Sequence, residues 1–464
     1  MPPLSRLSLW DLVALEETSP RRFLADPVDR VALRAFARAS LFGERRETLR
    51  GRSVMISTER QFLAALMLIE LDGIAKRLVI CTPDLSPDHV KAAIADAEVE
   101  AVVSDGGGPA AGLDVSVETI IGGGQMHDIA GRAARDIETE WALFTSGTTG
   151  RPKIVLHSLA GLTGPQKEKG TARGDVVWST FYDIRRYGGL QIFLRAMAGG
   201  GSLVLSDAHE TPNAFLARAG ANGVTQISGT PSHWRRALMS GATACLKPDY
   251  VRLSGETSDQ TILDALQRTF PDVPVVHAFA STEAGVGFEV RDGLAGFPIS
   301  ILDSLAGVEM RVQDGSLRIR SPRTATRYLG ANASLTDAEG FVDTGDLLER
   351  RGDRYYFAGR REGVINVGGA KVHPETVEAI INRHLAVSMS RVSARKSPIT
   401  GAIVVAEVVT HAGIDGRQRD FAEISRDILE LCRRELSPHQ VPAMVREVAS
   451  LPLTTAGKLG RIRA

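Results

Sequence analysis

The sequence predicts an α/β protein with a large N-terminal domain of wound βαβ subdomains plus a β-rich subdomain, followed by a small α+β C-terminal domain. Three observations predict this fold class. Short β-rich runs alternate with helical stretches in the first part of the chain, closely spaced strands follow from Val308, and a mixed pattern begins after Arg361. At 464 residues the chain is long enough for two or three such units.

The wound part is predicted from runs that alternate with helices. Between Trp141 and Thr282 the β-rich runs are DVVWSTF, GSLVLSD, GVTQISGTP, DYVRLSGE and VPVVHAF, with helical stretches at residues 214–219 and 260–269. A weaker alternation over residues 54–104 contains SVMIST, RLVICT and EAVVSD. Strands that alternate with helices favour parallel sheets.

The pattern of predicted secondary structure changes twice in the last third of the chain. From Val308 the runs VEMRV, SLRIRS, FVDTGDLLER and YYFAGR follow one another with DG and GD turn signals, which indicates a β-rich subdomain. Beyond it we expect a helix over residues 374–384 and strands over 389–394 and 402–409. An amphipathic helix then places one apolar face, formed by Phe421, Ile424, Ile428 and Cys432, before Ser437-Pro438 ends it. The predicted boundary near Arg361–Gly363 gives domains of residues 1–361 and 362–464.

Composition excludes some function classes. The 55 basic and 55 acidic residues balance, so nothing indicates a nucleic-acid or anionic membrane partner. Cys81, Cys245 and Cys432 are scattered and are predicted to be buried structural thiols in a reducing compartment. The N-terminus resembles no export signal, and the densest apolar run, residues 62–69, is too short to span a bilayer. We therefore expect a cytoplasmic protein; its oligomeric state stays open.

The stretch LFTSGTTGRPKIV, which begins at Leu143, is the first candidate site. Six of the seven residues from Thr145 to Arg151 are Gly, Ser or Thr, and Lys153 follows. Small residues, free N–H groups and hydroxyls form anion-binding concavities, and the lysine adds a positive charge. The order fits neither the G-x-x-x-x-G-K-[ST] loop nor the G-x-G-x-x-G fingerprint. Taken alone, the stretch is either a phosphate cradle or a flexible surface loop.

The full string TSGTTGRPK resembles the signature of the adenylate-forming superfamily, which contains acyl-CoA synthetases, adenylation domains of peptide synthetases and luciferases. Four further strings resemble its later motifs in the same order: FASTEAG, FVDTGDL, AGRREGVINVGGAKVHPETVE and LPLTTAGKLGR. The resemblance covers the chain from about residue 50 and is greatest to acyl- or aryl-CoA synthetases. It implies a two-step reaction, in which a carboxylate attacks the α-phosphate of ATP to give an acyl-adenylate and pyrophosphate, and a thiol then displaces AMP.

The resemblance also implies roles for individual residues. Lys458 would bridge the acyl carboxylate and the phosphate, Thr282 would bond a phosphate oxygen, and Glu283 would bind Mg²⁺. The predicted ATP- and AMP-binding residues are Thr145, Ser146, Gly147, Thr148, Thr149, Gly150, Lys153, Ser254, Gly255, Glu256, Phe279, Ala280, Ser281, Asp346 and Arg360. Among them, residues 254–256 would line the adenine, Phe279 would stack on it, and Asp346 would accept the ribose hydroxyls. The alternatives are a solvated lysine in the C-terminal tail and surface carboxylates or ion pairs.

The family's domain movement implies a further set. Glu362 occupies the hinge about which the small C-terminal domain is mobile, so that Lys458 withdraws after the first step. Gly368 and Gly369 would then let a pantetheine arm pass close to the backbone. The alternative for Glu362 is a simple turn between domains.

The chain departs from the family pattern at Ile154 and Ala280, where glycine is usual; both add bulk near the nucleotide without removing a catalytic group. The predicted acyl pocket contains Tyr182, Arg185, Gly285 and Gly287. Arg185 would bind a second carboxylate or polar substituent of the acid, or else lie on a solvated helix start. The two glycines would leave room for a ring or chain.

The resemblance implies an ATP-dependent carboxylic acid–CoA ligase with ATP, Mg²⁺ and CoA. An alternative is a stand-alone adenylation enzyme that loads the phosphopantetheine of an acyl carrier protein. Arg391, Arg395 and Lys396 are candidates for binding the phosphates of CoA. A non-catalytic nucleotide-binding relative is the alternative from another class. The identity of the acid stays open.

Overall fold

The chain folds around two large sheets, a smaller antiparallel sheet and a C-terminal α+β unit. The computed structural model describes residues 7–14, 22–114, 117–122, 126–128, 134–145, 151–164, 176–303, 307–330, 333–397, 401–411 and 420–460. The strands up to residue 158 are β1 Phe23–Ala25, β2 Arg30–Ala32, β3 Ala39–Ser40, β4 Ser53–Ser57, β5 Arg77–Ile80, β6 Ala101–Ser104, β7 Glu118–Ile121, β8 His127–Asp128, β9 Glu140–Phe144 and β10 Ile154–Ser158.

The remaining strands follow in two groups. Those of the wound part are β11 Val177–Thr180, β12 Ser202–Leu205, β13 Gln226–Gly229, β14 Tyr250–Ser254, β15 Val275–Ser281 and β16 Gly285–Val290. Those after it are β17 Phe297–Pro298, β18 Glu309–Gln313, β19 Ser316–Arg320, β20 Arg327–Leu329, β21 Val342–Arg351, β22 Arg354–Arg360, β23 Ile365–Val367, β24 Ala370–Val372, β25 Val387–Ser397, β26 Gly401–Thr410 and β27 Met444–Glu447.

Most of the helices connect these strands. They are α1 Leu9–Ala14, α2 Leu33–Phe36, α3 Gln61–Leu71, α4 Pro87–Asp96, α5 Leu159–Thr163, α6 Tyr187–Ala198, α7 Pro212–Ala221, α8 Pro231–Ser240, α9 Gln260–Thr269, α10 Pro374–Ile381 and α11 Phe421–Glu435. None of the helices in the described residues is long and apolar enough to cross a membrane.

The predicted parallel sheets are confirmed. Within the described ranges one sheet has the order β16-β15-β14-β13-β11-β12-β1-β2 and the other the order β20-β10-β9-β5-β4-β6-β7. The strands β15, β14, β13, β11, β12 and β1 of the first sheet and β9, β5, β4, β6 and β7 of the second are parallel, and β4, β5, β6 and β12 are buried at every position. Such strands are mostly apolar because both faces of a parallel sheet are usually covered by helices. The largest core contains α3, buried along its whole length, with much of α6 and residues from both sheets.

The β-rich subdomain and the C-terminal unit also follow the prediction. In the described residues an antiparallel sheet has the order β17-β22-β21-β19-β18, and the C-terminal unit has the hairpin β23-β24, the sheet β25-β26-β27 and helices α10 and α11. Ile424, Ile428 and Cys432 are the buried face of α11, as its periodicity predicts. A single 3₁₀ turn, Arg361–Gly363, lies at the predicted boundary between β22 and β23.

Two local predictions are wrong. The helix expected over residues 374–384 ends at Ile381, and a turn leads directly into β25. Cys81 and Cys432 are buried, but Cys245 is exposed because it ends a short 3₁₀ helix, Ala242–Cys245, at the surface.

Candidate active site

Three predicted site segments, and a fourth that was not predicted, meet at one edge of the eight-stranded sheet. Strands β11, β13, β14 and β15 are parallel neighbours, so their carboxyl ends lie side by side. Tyr182 follows β11, Thr230 follows β13, Glu256 follows β14 and Glu283 follows β15. In open α/β sheets ligands bind outside the carboxyl ends of the strands. The topology therefore explains how residues far apart in sequence converge.

The segment Thr282-Glu283 is held from behind by a histidine of the other sheet. His157 lies on β10, is 2% exposed, and its Nε2 donates to the carbonyl oxygen of Thr282 at 2.8 Å. Burial lowers the pKa of His157 to about 4, so the ring is neutral at pH 7. Sequence reasoning missed this residue, although a lone histidine within the apolar run IVLHS was a signal.

Glu283 is half-buried among charged groups. Burial raises the pKa of its carboxyl, while the cations of Arg360 and Lys153 lower it and Asp346 raises it further. The Nζ atom of Lys153 also lies 5.0 Å from the ring centroid of Tyr328. Two predicted carboxylates and two predicted cations thus share one environment.

The glycine-rich loop connects the antiparallel strands β9 and β10. At its base the Thr145 amide donates to the carbonyl oxygen of Lys153 at 2.8 Å. The predicted phosphate-binding residues between them, Ser146, Gly147, Thr148, Thr149 and Gly150, lie outside the described residues.

Asp346 and Arg360 are cross-strand neighbours on β21 and β22. The Nε atom of Arg360 lies 3.5 Å from Oδ1 of Asp346, and its Nη2 donates to the carbonyl oxygen of Thr344 at 2.9 Å. Burial raises the pKa of Asp346, against the lowering effect of Arg360 and then Lys458. The small antiparallel sheet therefore contributes a carboxylate and a guanidinium to the same site.

Lys458 extends into this site from the C-terminal unit. The side chain of Lys458 packs close to Gly255, because a Cβ atom added to Gly255 would lie 3.4 Å from the Cε atom of Lys458. Burial lowers the pKa of Lys458, while Glu256 and Asp346 raise it and Arg360 lowers it. The tail lysine is thus part of the cluster and not a solvated residue.

Phe279 lies in an aromatic cluster beneath the site. Its ring stacks on Phe357 with centroids 5.2 Å apart and an angle of 10°, and on Phe288 at 5.8 Å. The ring stays half-buried, and Ala280 and Ser281 beside it are also half-buried. Ser254 in the predicted adenine-lining segment accepts a hydrogen bond at its carbonyl oxygen from the Tyr182 hydroxyl at 2.6 Å.

The predicted acyl pocket needs correction at three residues. Arg185 is 3% exposed, and its guanidinium pairs with Asp183 at 2.6 Å and donates to the carbonyl oxygens of residues 58 and 59. It is therefore neither solvated nor free for a substrate carboxylate. A Cβ atom on Gly285 would lie 2.5 Å from the carbonyl oxygen of Arg323, and one on Gly287 would lie 3.1 Å from the Phe279 ring. The protein itself fills the space beside both glycines.

The predicted hinge and thiol residues are all exposed. Glu362 lies in the 3₁₀ turn, and Gly368 and Gly369 form the two-residue connection of the β23-β24 hairpin. Of the candidates for binding CoA phosphates, Arg395 and Lys396 are exposed. Arg391 is 5% exposed and pairs with Glu407 at 2.5 Å, so that prediction is wrong.

This fold is that of the adenylate-forming enzymes. The profile of the AMP-binding enzyme family matches residues 73–329, more than half of the chain, and that of the AMP-binding enzyme C-terminal domain matches residues 376–458. The chain belongs to the AMP-binding enzyme family.

Its relatives include CoA ligases and a peptide synthetase. A 2-succinylbenzoate–CoA ligase of Listeria monocytogenes is 26% identical over 334 residues, which are 69% of this chain and 68% of that protein. A probable non-canonical nonribosomal peptide synthetase, CymA of Salinispora arenicola, is 28% identical over 352 residues. That match covers 69% of this chain but 4% of the synthetase.

Known structures confirm the fold. A benzoate CoA ligase from Burkholderia xenovorans superimposes with a TM-score of 0.80 at 18% identity, covering 98% of each chain. The anthranilate CoA ligase AuaEII, in complex with anthranoyl-AMP, gives a TM-score of 0.78 at 17% identity, covering 98% of this chain and 96% of that one.

Proposed function

We propose that the protein is an ATP-dependent carboxylic acid–CoA ligase, which forms an acyl-adenylate with release of pyrophosphate and transfers the acyl group to the thiol of CoA. The observation that carries this proposal is the position of Lys458 beside Asp346, Arg360 and Glu256, since groups from three parts of the fold converge there. The 2-succinylbenzoate–CoA ligase and the benzoate CoA ligase support a thioester product and make aromatic acids the first candidates.

The chemistry explains why cations must converge. The first step brings an anionic carboxylate to a polyphosphate, so the barrier is largely electrostatic, and fixed positive groups lower it most in a site shielded from water. We assign Lys458 to the carboxylate and α-phosphate, and Lys153 to the departing phosphates. Asp346, with two acceptor oxygens, would fix the ribose, and Arg360 beside it would hold that carboxylate in place.

Glu283 fits the role of a magnesium ligand. Mg²⁺ commonly takes one or two protein carboxylates together with substrate phosphates, and when bound it neutralises phosphate charge. In the described part of the chain, no group of three or more His, Cys, Asp or Glu side chains could hold a metal ion. The phosphates of ATP would therefore have to complete the coordination around Glu283.

The test is ATP–pyrophosphate exchange against a panel of carboxylic acids that starts with benzoate derivatives. We expect exchange with at least one acid, followed by thioester formation when CoA is added. Thioester formation only with a phosphopantetheine-bearing carrier protein would favour the alternative suggested by the peptide synthetase relative. Absence of exchange with every acid would favour a non-catalytic nucleotide-binding protein.

Lys458→Ala tests the assigned role directly. Because the lysine would act on the carboxylate and phosphate only, exchange should fall by about 10²–10³-fold. Thioester formation from a supplied acyl-adenylate should persist. Lys247→Ala, at an exposed position before β14 for which no role is proposed, is the control and should keep both activities. An equal loss of both half-reactions in Lys458→Ala would contradict the assignment.

A further inference from the structure

We propose that Thr230 and Glu256 are positioning residues that clamp the two peptide groups flanking Lys458. The hydroxyl of Thr230 donates to the carbonyl oxygen of Gly457 at 2.7 Å, and Oε1 of Glu256 accepts from the amide of Leu459 at 2.6 Å. One contact lies immediately before Lys458 and the other immediately after it. The consequence for catalysis rests on the proposed function, whereas the clamp itself is a property of the fold.

The Thr230 half of the clamp is built into a helix start. Thr230 is the single residue between β13 and α8 and caps α8, where its side-chain oxygen accepts from the amide of His233 at 3.0 Å. The hydroxyl oxygen accepts one hydrogen bond at the helix start, and the hydroxyl hydrogen is donated to the carbonyl oxygen of Gly457. A single threonine therefore caps a helix of the large domain and binds the loop of the small one.

The Glu256 half uses the same helix start. Its Oε2 accepts from the amide of Ser232 at 2.9 Å, and its Oε1 accepts from the Ser232 hydroxyl at 3.0 Å as well as from Leu459. The carboxylate is thus committed to protein donors. This position makes Glu256 a support of the lysine loop rather than a direct ligand of adenine.

Hydrogen bonds within the loop between Thr454 and Leu459 add to the restraint that the clamp places on Lys458. Within it the amide of Thr454 donates to the carbonyl oxygen of Lys458 at 2.7 Å, and the amide of Gly457 donates to that of Thr454 at 2.8 Å. Thr455 adds a further contact, since its hydroxyl donates to Asp84 at 2.6 Å. A lysine side chain is flexible, so fixing its backbone on both sides reduces the conformations from which Nζ must find the reacting phosphate.

The clamp is specific to one arrangement of the two domains. The bonded groups are 227 residues apart for Thr230 and Gly457, and 203 apart for Glu256 and Leu459. Movement of the small domain would break both contacts at once. We therefore expect the clamp to serve adenylation only and to be absent during thioester formation.

The experiment uses the full chain and four variants. Thr230→Val and Glu256→Gln weaken the clamp, and Thr230→Ser restores the hydroxyl. Thr211→Val is the matched control, because Thr211 also precedes a proline and caps a helix, α7, by accepting from Ala214. Hydrogen exchange is followed by mass spectrometry in the peptide spanning residues 453–460, together with ATP–pyrophosphate exchange and thioester formation from supplied acyl-adenylate.

Thr230→Val and Glu256→Gln should speed amide exchange in residues 453–460 by about tenfold, and kcat for adenylation should fall by a similar factor with an unchanged KM for ATP. Thioester formation should be unaffected, and Thr230→Ser and Thr211→Val should resemble the parent.

Three results would overturn the proposal. They are unchanged amide exchange in both clamp variants, equal loss of the two half-reactions, and a raised KM for ATP in Glu256→Gln. Faster amide exchange in a protein whose parent activates no acid would support the clamp while refuting the proposed function.

Discussion

At the scale of the residue, Gly457 shows how closely the lysine loop approaches the large domain. Its φ is +68°, a backbone conformation that side chains disfavour, and a Cβ atom there would lie 1.9 Å from Cε1 of His233. We predict that Gly457→Ala displaces the loop and lowers ATP–pyrophosphate exchange at least about tenfold, because a shift of even 1 Å at a reacting group is costly. The measurement is the exchange rate at saturating ATP and acid.

The variant Gly352→Ala distinguishes the backbone strain of a positive φ from the steric clash with His233. Gly352 has a similar φ of +63°, but an added Cβ would meet nothing within 4 Å. It should carry the same local strain and keep full exchange activity. Equal activity of the two alanine variants would mean that the loop tolerates the collision and that our account of Gly457 is wrong.

The convergence of site residues was predictable where a motif placed the side chain and not where tertiary partners decided its position. Motif strings predicted that Glu283, Asp346, Arg360 and Lys458 share one site, and the structure brings them together, while their roles stay predictions. Arg185 could not, because its carbonyl partners lie more than 100 residues away in sequence, at 126 and 127 positions. The local pattern contained an arginine near a helix start but no information about what would bury it.

At the scale of the element, the turn of the β23-β24 hairpin explains why glycines occupy positions 368 and 369. Val367 pairs with Ala370 across two residues whose φ values are +57° and +90°. Two-residue hairpins favour turns that need positive φ at both positions, for which Asn-Gly and Gly-Gly are preferred. The glycine pair therefore does not by itself indicate a passage for pantetheine, which stays a prediction.

Gly368→Asn distinguishes the two explanations, since asparagine keeps the turn but adds bulk. If a pantetheine arm passes here, thioester formation should fall by about tenfold while ATP–pyrophosphate exchange and the melting temperature stay at parental values. We expect this outcome. Unchanged thioester formation would restrict the glycines to the turn.

The elements themselves were predictable to different degrees. The parallel strands β11 to β15 and helix α9 follow from β-rich runs and helical periodicity within the sequence. The short strand β20 was missed, because it has three residues and is defined by antiparallel pairing with β10, over 170 residues earlier. The pairing partner of an edge strand depends on the tertiary fold, and the local sequence does not contain that information.

At the scale of the whole molecule, His157 links the seven-stranded sheet to the segment that follows β15 in the eight-stranded one. The pKa of His157 is lowered by burial to about 4, and that of His233, also by burial, to about 3. Asp72 has the opposite effect, since burial raises its pKa to about 6. The pH dependence of folding is therefore a balance of buried groups with opposite signs.

The sign for His157 follows from proton linkage. Below an ordinary histidine pKa of about 6.5 the unfolded chain binds a proton that the folded protein excludes, so stability falls as the pH decreases until the folded group titrates near pH 4. Over this interval the loss from His157 alone is about 3 kcal/mol. Asp72 works against it, because its protonated form is favoured in the folded state between its ordinary pKa and about 6.

His157→Gln isolates the histidine contribution, because glutamine keeps an amide donor for the carbonyl oxygen of Thr282 but cannot titrate. We predict that the variant is less stable than the parent at pH 7.5 and loses less stability than the parent between pH 6.5 and pH 4.5, as measured from urea unfolding. His209→Gln, at an exposed position, is the control and should keep the parental slope. An unaltered slope in His157→Gln would show that the folded and unfolded chains protonate this residue equally between pH 6.5 and pH 4.5, and it would contradict the pKa of about 4 for the buried ring.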